Sequence, residues 1–477
     1  MTMQSAVIAS IGIYMLLLLI LGIWASRLRK SNSLKDFYLA GGGLGSFVLL
    51  LTLYATQYSA NTMLVVPAEV VNKGMGMIMV LGYMTAIVVF YLAFAPQLYR
   101  VSKREQFITP GDWFDFRFQM PALTLLANIV LLVVSINFLL AQLMAMGHIA
   151  EGITGGQIPY WAGVVFLAVV VILYETLGGM QAVAWTDVIQ GLMMLIGLGG
   201  LFVIVIGGDT QITDVSEWLL EHQPEKIQVP SGEFRIYWAS TVLMVGMGAA
   251  VYPQVIQRIY ASRSIKVLKQ SLGAMVFMPL VTVLILFLLG ILSIPHFAEA
   301  ESVASDAVLP QMLEIWSQHS PLALVFAVMM VVGLLAATMS TADSVLLSLS
   351  SIVAQDILGK SVMKTVPEER LTTIGKLVSW LVMASMVIWA LQPQITLWGL
   401  IELKMQILVQ IVPLFLLGLH DQRFDGYAAL AGLCAGLFIA LTGFFFGIKT
   451  IGGIQLGLIG FGLNMIISIG IANMRGR

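Results

Sequence analysis

Polar side chains interrupt two long apolar stretches of this 477-residue chain, and their types favour ion binding over covalent chemistry. The first stretch reads Tyr54-Ala-Thr-Gln-Tyr-Ser-Ala-Asn-Thr62, and the second reads Ala336-Ala-Thr-Met-Ser-Thr-Ala-Asp-Ser344. Hydroxyl and carbonyl oxygens without fixed charge suit a monovalent ion such as Na⁺, whereas Ca²⁺ prefers several carboxylates. The alternative is that these Ser and Thr side chains only form hydrogen bonds between packed helices.

The first polar stretch has the composition of a broken membrane helix. Where such a helix unwinds, its free carbonyls can bind a cation, and nearby hydroxyl and amide groups can hold a solute. A second interruption is predicted at Tyr252-Pro-Gln-Val-Ile-Gln257, which follows Gly246 and Gly248. Interruptions in corresponding helices of two halves point to a binding site between them.

The chain offers no pattern typical of an enzyme. Its five histidines fall at the edges of apolar runs or between them, and they form no metal or acid-base cluster: His148, His222, His296, His319 and His420. Nothing in the charge distribution suggests a nucleic-acid partner. We therefore expect no catalytic site.

The elements that carry these residues are membrane helices. With 59% hydrophobic and 10% charged residues, the chain is too apolar for a soluble domain. Long continuous apolar runs favour helices over a barrel and predict an all-α membrane protein of about thirteen transmembrane helices. They lie near residues 5–25, 46–72, 75–97, 120–147, 157–178, 185–207, 235–255, 268–294, 320–352, 374–391, 395–419, 427–447 and 452–474.

The basic residues predict the orientation. With the N-terminus outside, most of the 24 Lys and Arg residues, Arg258 among them, fall in cytoplasmic gaps between spans. We therefore expect a multi-pass protein of the cell (inner) membrane with a cytoplasmic C-terminus. The chain ends at Arg477 just past the last span, so a fused signalling domain is not expected.

A further segment resembles the sodium/solute symporter family, which includes bacterial proline, pantothenate and monocarboxylate cotransporters. It reads Gly178-Gly-Met-Gln-Ala-Val-Ala-Trp-Thr-Asp-Val-Ile-Gln190, similar to the family's Gly-Gly signature. The resemblance implies one transporter domain over 1–477 with the leucine-transporter-like 5+5 inverted repeat. Its parts would be a leading helix and basic loop at 1–45, repeats at 46–208 and 235–419, and two trailing helices at 427–477.

The resemblance also implies a sodium site that joins the two polar stretches. Its ligands would be the carbonyls of Ala55, Tyr58 and Ala337 and the hydroxyls of Ser340 and Thr341. Asp187 would lie on the sodium exit route toward the cytoplasm. The alternative for Asp187 is that it caps the N-terminus of the sixth span, where a carboxylate is favoured.

Solute contacts are carried over from the family less directly. The resemblance implies Gln57, Ser59, Asn61, Thr62, Asn137, Tyr252 and Pro253. Gln57 stands where proline carriers have an acidic residue, which makes proline doubtful as the solute. The stretch around it is closer to monocarboxylate or pantothenate members.

Lys404 departs from the family pattern because it is the only basic residue expected deep in the membrane. Glu402 and Lys404 do not share a helix face, so each should meet a different partner. We hypothesise that Lys404 faces the cavity and binds a substrate carboxylate. The alternatives are a structural ion pair with another helix or snorkelling toward the surface.

Together these features predict a secondary active transporter that carries a small organic solute into the cytoplasm with Na⁺ by alternating access. The solute would be a monocarboxylate, a pantothenate-like molecule or an amino acid. Alternatives are a solute-sensing symporter-like module and a proton-coupled carrier. The expected partners are the solute, Na⁺ and the lipid bilayer, with no obligate protein partner.

Overall fold

The computed structural model describes residues 3–29, 31–208, 212–229, 231–300, 302–304, 307–392 and 397–475. The described chain is almost entirely helical, as the apolar runs predicted. Its α-helices are α1 Met3–Leu28, α2 Leu34–Leu39, α3 Ser46–Gln57, α4 Ala60–Lys73, α5 Met79–Glu105, α6 Pro110–Phe118, α7 Pro121–Ile153, α8 Tyr160–Gly178, α9 Met180–Ile206, α10 Ile212–His222, α11 Gly232–Ala249, α12 Pro253–Ala261, α13 Ile265–Met275, α14 Met278–Ser293, α15 Val308–Ser317, α16 Pro321–Ser351, α17 Glu368–Ala390, α18 Leu397–Leu408, α19 Val412–His420, α20 Gly426–Phe445 and α21 Leu456–Arg475. A π-helical segment, Ile352–Val362, continues α16, and a two-residue antiparallel hairpin pairs β1 Thr450–Ile451 with β2 Ile454–Gln455.

The described residues contain 11 helices long and apolar enough to cross a membrane, or 12 when the bent pair α11 and α12 counts as one span. This makes the chain a multi-pass membrane protein. This is close to the thirteen spans expected, and the difference depends on how the second and third spans are counted. The run Thr62–Glu105 is 44 residues long and includes the 3-10 turn Gly74–Ile78, and α3 alone is too short to count. A 44-residue helix would extend about 66 Å, roughly twice the hydrocarbon thickness.

The second span is broken where the polar stretch predicted. Helix α3 ends at Gln57 and α4 begins at Ala60. Between them Tyr58 has φ −95° and ψ 76°, and Ser59 is extended with φ −75° and ψ 168°. Ser and Asn residues favour such breaks because their side chains compete for backbone hydrogen bonds.

The seventh span is broken at the predicted Tyr252-Pro253 step. Helix α11 ends at Ala249 and α12 begins at Pro253, and the two axes differ by 50°. Proline fits the first position of a helix and disfavours helical geometry in the residue before it. Tyr252 accordingly has ψ 135°.

Helix α16 forms the centre of the bundle. Every residue from 330 to 352 is buried, so the helix is surrounded on all sides, and it packs mainly against α9 and α7. A helix buried all round can be apolar on every face, and its few polar groups then need partners within the protein. The second polar stretch of the sequence lies in this buried part.

The signature glycines form the tight turn between α8 and α9. Gly179 has φ +56° and ψ −146°, a conformation available essentially only to glycine. A Cβ atom at this position would lie 2.4 Å from the carbonyl oxygen of Phe37. The turn therefore requires glycine for both its backbone angles and its close packing on α2.

Candidate functional site

The two polar stretches contact each other across α3 and α16. The hydroxyls of Thr56 and Ser344 are 3.3 Å apart. Ser340 donates a hydrogen bond of 2.5 Å to Asp187 Oδ1, and the Thr52 hydroxyl donates to Oδ2 of the same carboxylate. Asp187, on α9, thus joins α3 to α16 next to the residues proposed to bind sodium.

The predicted sodium ligands are fully buried in this region. Ala55 and Tyr58 belong to the last turn of α3 and the break that follows it. On α16 the Thr341 hydroxyl donates a 3.0 Å hydrogen bond to the carbonyl of Ala337, within one turn of Ser340. Each of these hydroxyl oxygens keeps lone pairs that can face a cation.

A buried arginine completes the Asp187 cluster. Arg258, on α12, places Nη2 at 3.0 Å from Asp187 Oδ2 and at 2.5 Å from the Ser344 hydroxyl. Its Nε donates to the Thr52 hydroxyl at 2.9 Å, and its Nη1 donates to the Gln254 carbonyl at 3.1 Å. Arg258 is fully buried and lies on α12, the second half of the bent span, so the expectation that it falls in a gap between spans is wrong.

The capping alternative for Asp187 is also wrong. Helix α9 begins at Met180 with Gly179 as its N-cap, so Asp187 lies two turns inside the helix. Its hydrogen bonds go to side chains of other helices and not to free backbone N–H groups of α9.

Asp343, on the next turn of α16, makes an interaction that was not predicted from the sequence. Its Oδ2 accepts a 2.6 Å hydrogen bond from the Tyr174 hydroxyl.

A cavity opens beside the α3–α4 break and the α11–α12 break. Of the residues predicted to contact solute, Gln57, Ser59, Thr62, Tyr252 and Lys404 line it. Asn137 and Pro253 are not among its lining residues, and the side chain of Asn61 lies outside the described part of the chain. The other lining residues are Thr56, Val65, Val66, Tyr83, Met84, Ile87, Tyr91, Phe138, Val245, Ala249, Gln254, Val255, Ile401 and Met405.

Several polar atoms at this cavity are buried without a hydrogen-bond partner among the described residues. They are Nε2 of Gln57, the hydroxyl of Tyr252, and both side-chain polar atoms of Gln254. Such atoms are uncommon in folded proteins and mark places where a ligand or water completes the bonding. Gln254 was not predicted to line the cavity, although it directly follows the proline of the predicted interruption.

Lys404 points into this cavity from α18 and is only 2% exposed. Its Nζ lies 3.4 Å from the centre of the Phe138 ring and 5.9 Å from that of Tyr252. Phe138 and Tyr252 are stacked, with centroids 5.0 Å apart. No carboxylate of the described residues lies within ion-pairing distance of Lys404.

Glu402 meets other partners, as its position on a different helix face predicted. One carboxylate oxygen lies 2.9 Å from Lys449 Nζ, and the other accepts a 3.0 Å hydrogen bond from the Tyr237 hydroxyl. The negative charge nearest to Lys404 in the sequence is therefore already paired. Glu402 is therefore not the partner of Lys404.

Comparison with known proteins decides the family. The family model described as "Sodium:solute symporter family" matches residues 37–436, which include both polar stretches, Asp187, Arg258 and Lys404. The chain belongs to the sodium:solute symporter family.

Curated relatives of this symporter are similar over nearly their whole length. The osmoregulated proline transporter OpuE of Bacillus subtilis is 27% identical over 98% of this chain and 94% of the relative. The sodium/pantothenate symporter of Haemophilus influenzae is 24% identical over 87% of this chain and 85% of the relative. These relatives are transporters and not enzymes.

Solved structures confirm the leucine-transporter-like fold of the symporter. A Na⁺-coupled sialic acid symporter in a substrate-bound outward-open state matches with a TM-score of 0.80 at 18% identity, over 99% of this chain and 98% of that one. MhsT in complex with L-phenylalanine matches with a TM-score of 0.54 at 13% identity, over 89% of this chain and 97% of that one.

Proposed function

We propose that this symporter uses Na⁺ entry to drive uptake of a small organic solute, which binds in the cavity beside the two helix breaks. The observation that carries the proposal is the contact between the two polar stretches. The Thr56–Ser344 contact, together with the Asp187 carboxylate that accepts hydrogen bonds from both Thr52 and Ser340, supports a site between the end of α3 and the hydroxyl groups of α16. The solute cavity begins at the same break, because Thr56 and Gln57 line it.

The proposed sodium ligands are the carbonyl oxygens of Ala55, Tyr58 and Ala337 and the hydroxyl oxygens of Ser340 and Thr341. The break after Gln57 supports this set, because an unwound backbone leaves carbonyls without intrahelical partners. Full burial of all five residues supports it as well. Five neutral oxygens suit Na⁺ in a region from which water is excluded.

Sodium and solute would be coupled because each stabilises the same arrangement of the broken helix. Na⁺ would hold α3 against α16, and the solute would bind the residues that follow the same break. If sodium tightens solute binding by about 5- to 150-fold, solute must tighten sodium binding equally, a coupling of about 1–3 kcal/mol. This reciprocity is the physical basis of symport.

The basic residues between spans support an orientation with the N-terminus outside and the C-terminus in the cytoplasm of a bacterial-type inner membrane. The Asp187–Arg258 pair would then lie on the cytoplasmic side of the sodium site, since Thr52 precedes Ala55 on the way to the α3–α4 break. Sodium released inward would pass this pair. Alternating access would require the pair to move or rearrange.

Counterflow in proteoliposomes tests the proposal. Vesicles loaded with unlabelled solute should accumulate labelled solute when Na⁺ is present on both sides, and replacing Na⁺ with K⁺ should stop exchange. A solute-sensing module would bind solute without exchanging it. Uptake that follows an imposed pH gradient in sodium-free buffer would instead identify a proton-coupled carrier.

A further inference from the structure

Lys404 is a buried lysine whose Nζ faces two aromatic rings and, among the described residues, pairs with no carboxylate. Its Nζ lies 3.4 Å from the centre of the Phe138 ring, close enough for a cation–π interaction. Such an interaction in a desolvated site stabilises an ammonium by about 2 kcal/mol, less than the several kcal/mol that removal from water costs. An unpaired ammonium in such a site would give up its proton, so Lys404 carries a charge here only together with an anion.

The cavity itself supplies no such anion. Its lining residues in the described part of the chain include no Asp, Glu or His. The acidic residues Glu402 on α18 and Glu69 on α4 are paired elsewhere, because Glu402 contacts Lys449 at 2.9 Å and Glu69 contacts Lys73 at 2.6 Å. A counter-charge for a protonated Lys404 would therefore come from outside the described protein.

The other residues that line the cavity suit a small, mostly apolar solute with one polar end. Val65, Met84, Ile87, Ile401 and Met405 provide apolar surface. The unpartnered Nε2 atoms of Gln57 and Gln254 and the Tyr252 hydroxyl can donate hydrogen bonds to an oxygen-rich group, whereas Gln254 Oε1 can accept one. A carboxylate accepts several such bonds at once.

From these observations we infer that the solute is a small organic acid that carries a carboxylate and no ammonium group. The inference rests on the proposed function, because it names the solute of that same cavity. A zwitterionic amino acid would bring its own positive charge into a pocket that already holds Lys404 and lies beside the proposed Na⁺. Carbonyls freed at the helix breaks can accept hydrogen bonds from an ammonium, but they do not remove this excess charge.

Matched solutes test the inference on the unaltered protein. Each set keeps one molecular size and shape in three forms: cyclopentanecarboxylate, cyclopentanecarboxamide and proline, then butanoate, butanamide and 2-aminobutanoate, and the same for straight chains of three, five and six carbons. Proline and cyclopentanecarboxylate share ring size and carboxylate and differ chiefly in the ring ammonium. Thermal stabilisation of the purified protein in lipid nanodiscs would be titrated with each solute in Na⁺ and in K⁺.

We expect at least one acid to bind in Na⁺ and to bind at least about 30-fold more tightly than its amide and its amino-acid analogue, equivalent to about 2 kcal/mol. If an amino acid or an amide is the tightest sodium-dependent binder, the inference is overturned. The proposed sodium-coupled symport is not contradicted by that result. Binding of no acid in the panel also overturns it. Binding that is equal in Na⁺ and K⁺ contradicts the proposed function instead.

Substitutions at Lys404 give a second test. Lys404→Met should weaken binding of the acid at least about 30-fold, whereas Lys404→Arg, which keeps the charge, should retain part of it. Lys364→Met is the matched control, because it removes an exposed lysine that does not line the cavity. Equal affinity for the acid in Lys404→Met and the unaltered protein overturns the inference, and retained stabilisation by Na⁺ alone shows that the variant is folded.

Discussion

Asp187 and Arg258 form an ion pair in which neither side chain is exposed to solvent, with 3.0 Å between Oδ2 and Nη2. The pair joins α9 to α12 and shares hydrogen bonds with Thr52 on α3 and Ser344 on α16. Four helices that surround the proposed sodium site are therefore linked through one carboxylate and one guanidinium. Any movement that opens this region must disrupt some of these bonds.

Loss of the arginine should destabilise the protein strongly. Arg258→Met leaves a buried carboxylate without its cation, and we expect the free energy of unfolding to fall by about 3–5 kcal/mol. The double variant Asp187→Asn with Arg258→Met should lose less than the sum of the two single variants. Denaturation in nanodiscs or detergent measures both, with the exposed Arg263→Met as control. Additive single effects would show that the pair contributes no coupling.

A hydroxyl on α16 should control sodium affinity. Thr341→Val keeps the shape of the side chain and removes one proposed oxygen ligand, so the apparent affinity for Na⁺ should fall by about tenfold or more. Sodium-dependent thermal stabilisation measures this. Thr338→Val is the control, because the Thr338 hydroxyl lies on the same helix and bonds to the carbonyl of Leu335. Unchanged sodium affinity in Thr341→Val would remove Thr341 from the site.

The turn between α8 and α9 should not tolerate a side chain. In Gly179→Ala the new methyl group would meet the Phe37 carbonyl and the backbone would be strained, so we expect a loss of several kcal/mol or failure to fold. Gly199→Ala, on α9, is the control, since no atom outside its own helix lies within 4 Å of the added methyl. Alanine there should be neutral or slightly stabilising. Yield and thermal stability of the two variants should differ clearly.

Ion pairs of Lys360 should stabilise the packing of the short helix α6 against the π-helical segment that follows α16. Its Nζ lies 2.7 Å from Asp112 Oδ1, 2.7 Å from Asp115 Oδ2 and 2.9 Å from Asp356 Oδ1. Lys360→Met leaves these three carboxylates close together without a cation. We expect hydrogen exchange of the α6 amides to accelerate roughly threefold or more.

The exposed Lys364→Met, four residues later, is the control for this exchange measurement. It removes a lysine of the same region that has no part in the cluster. Similar exchange rates in α6 for both variants would contradict a role for Lys360 in holding the helix.

Much of the fold could be predicted from the sequence, because hydropathy and helix-breaking residues act locally. The breaks at Tyr58–Ser59 and at Tyr252–Pro253 were predicted and confirmed, since Ser, Asn and Pro alter backbone preferences wherever they occur. The number of spans was less certain. Helices α4 and α5 are separated only by the short turn Gly74–Ile78, in which Gly74 has φ +68° and ψ −148°, and hydropathy alone does not show where a helix turns.

The candidate site was predicted only in part. Gln57 and Tyr252 line the cavity, but Asn137 does not, although the neighbouring Phe138 does. Helical geometry directs adjacent residues to different faces, so a difference of one position decides which side chain reaches the cavity. Tyr174 carried no sequence pattern that pointed to its role, whereas Gln254 lay within the predicted interruption but was not predicted to line the cavity.

The sequence by itself determined the membrane-helical class, the two helix breaks and the presence of one isolated lysine among apolar residues. Only the tertiary structure decided the partners of the charged groups: Arg258 pairs with Asp187, whereas Lys404 faces Phe138 and a cavity whose described lining has no acidic residue. Helix propensity and hydropathy depend on neighbours along the chain. Pairing of buried charges depends on which distant helices pack together, and the burial of those charges makes the choice energetically decisive.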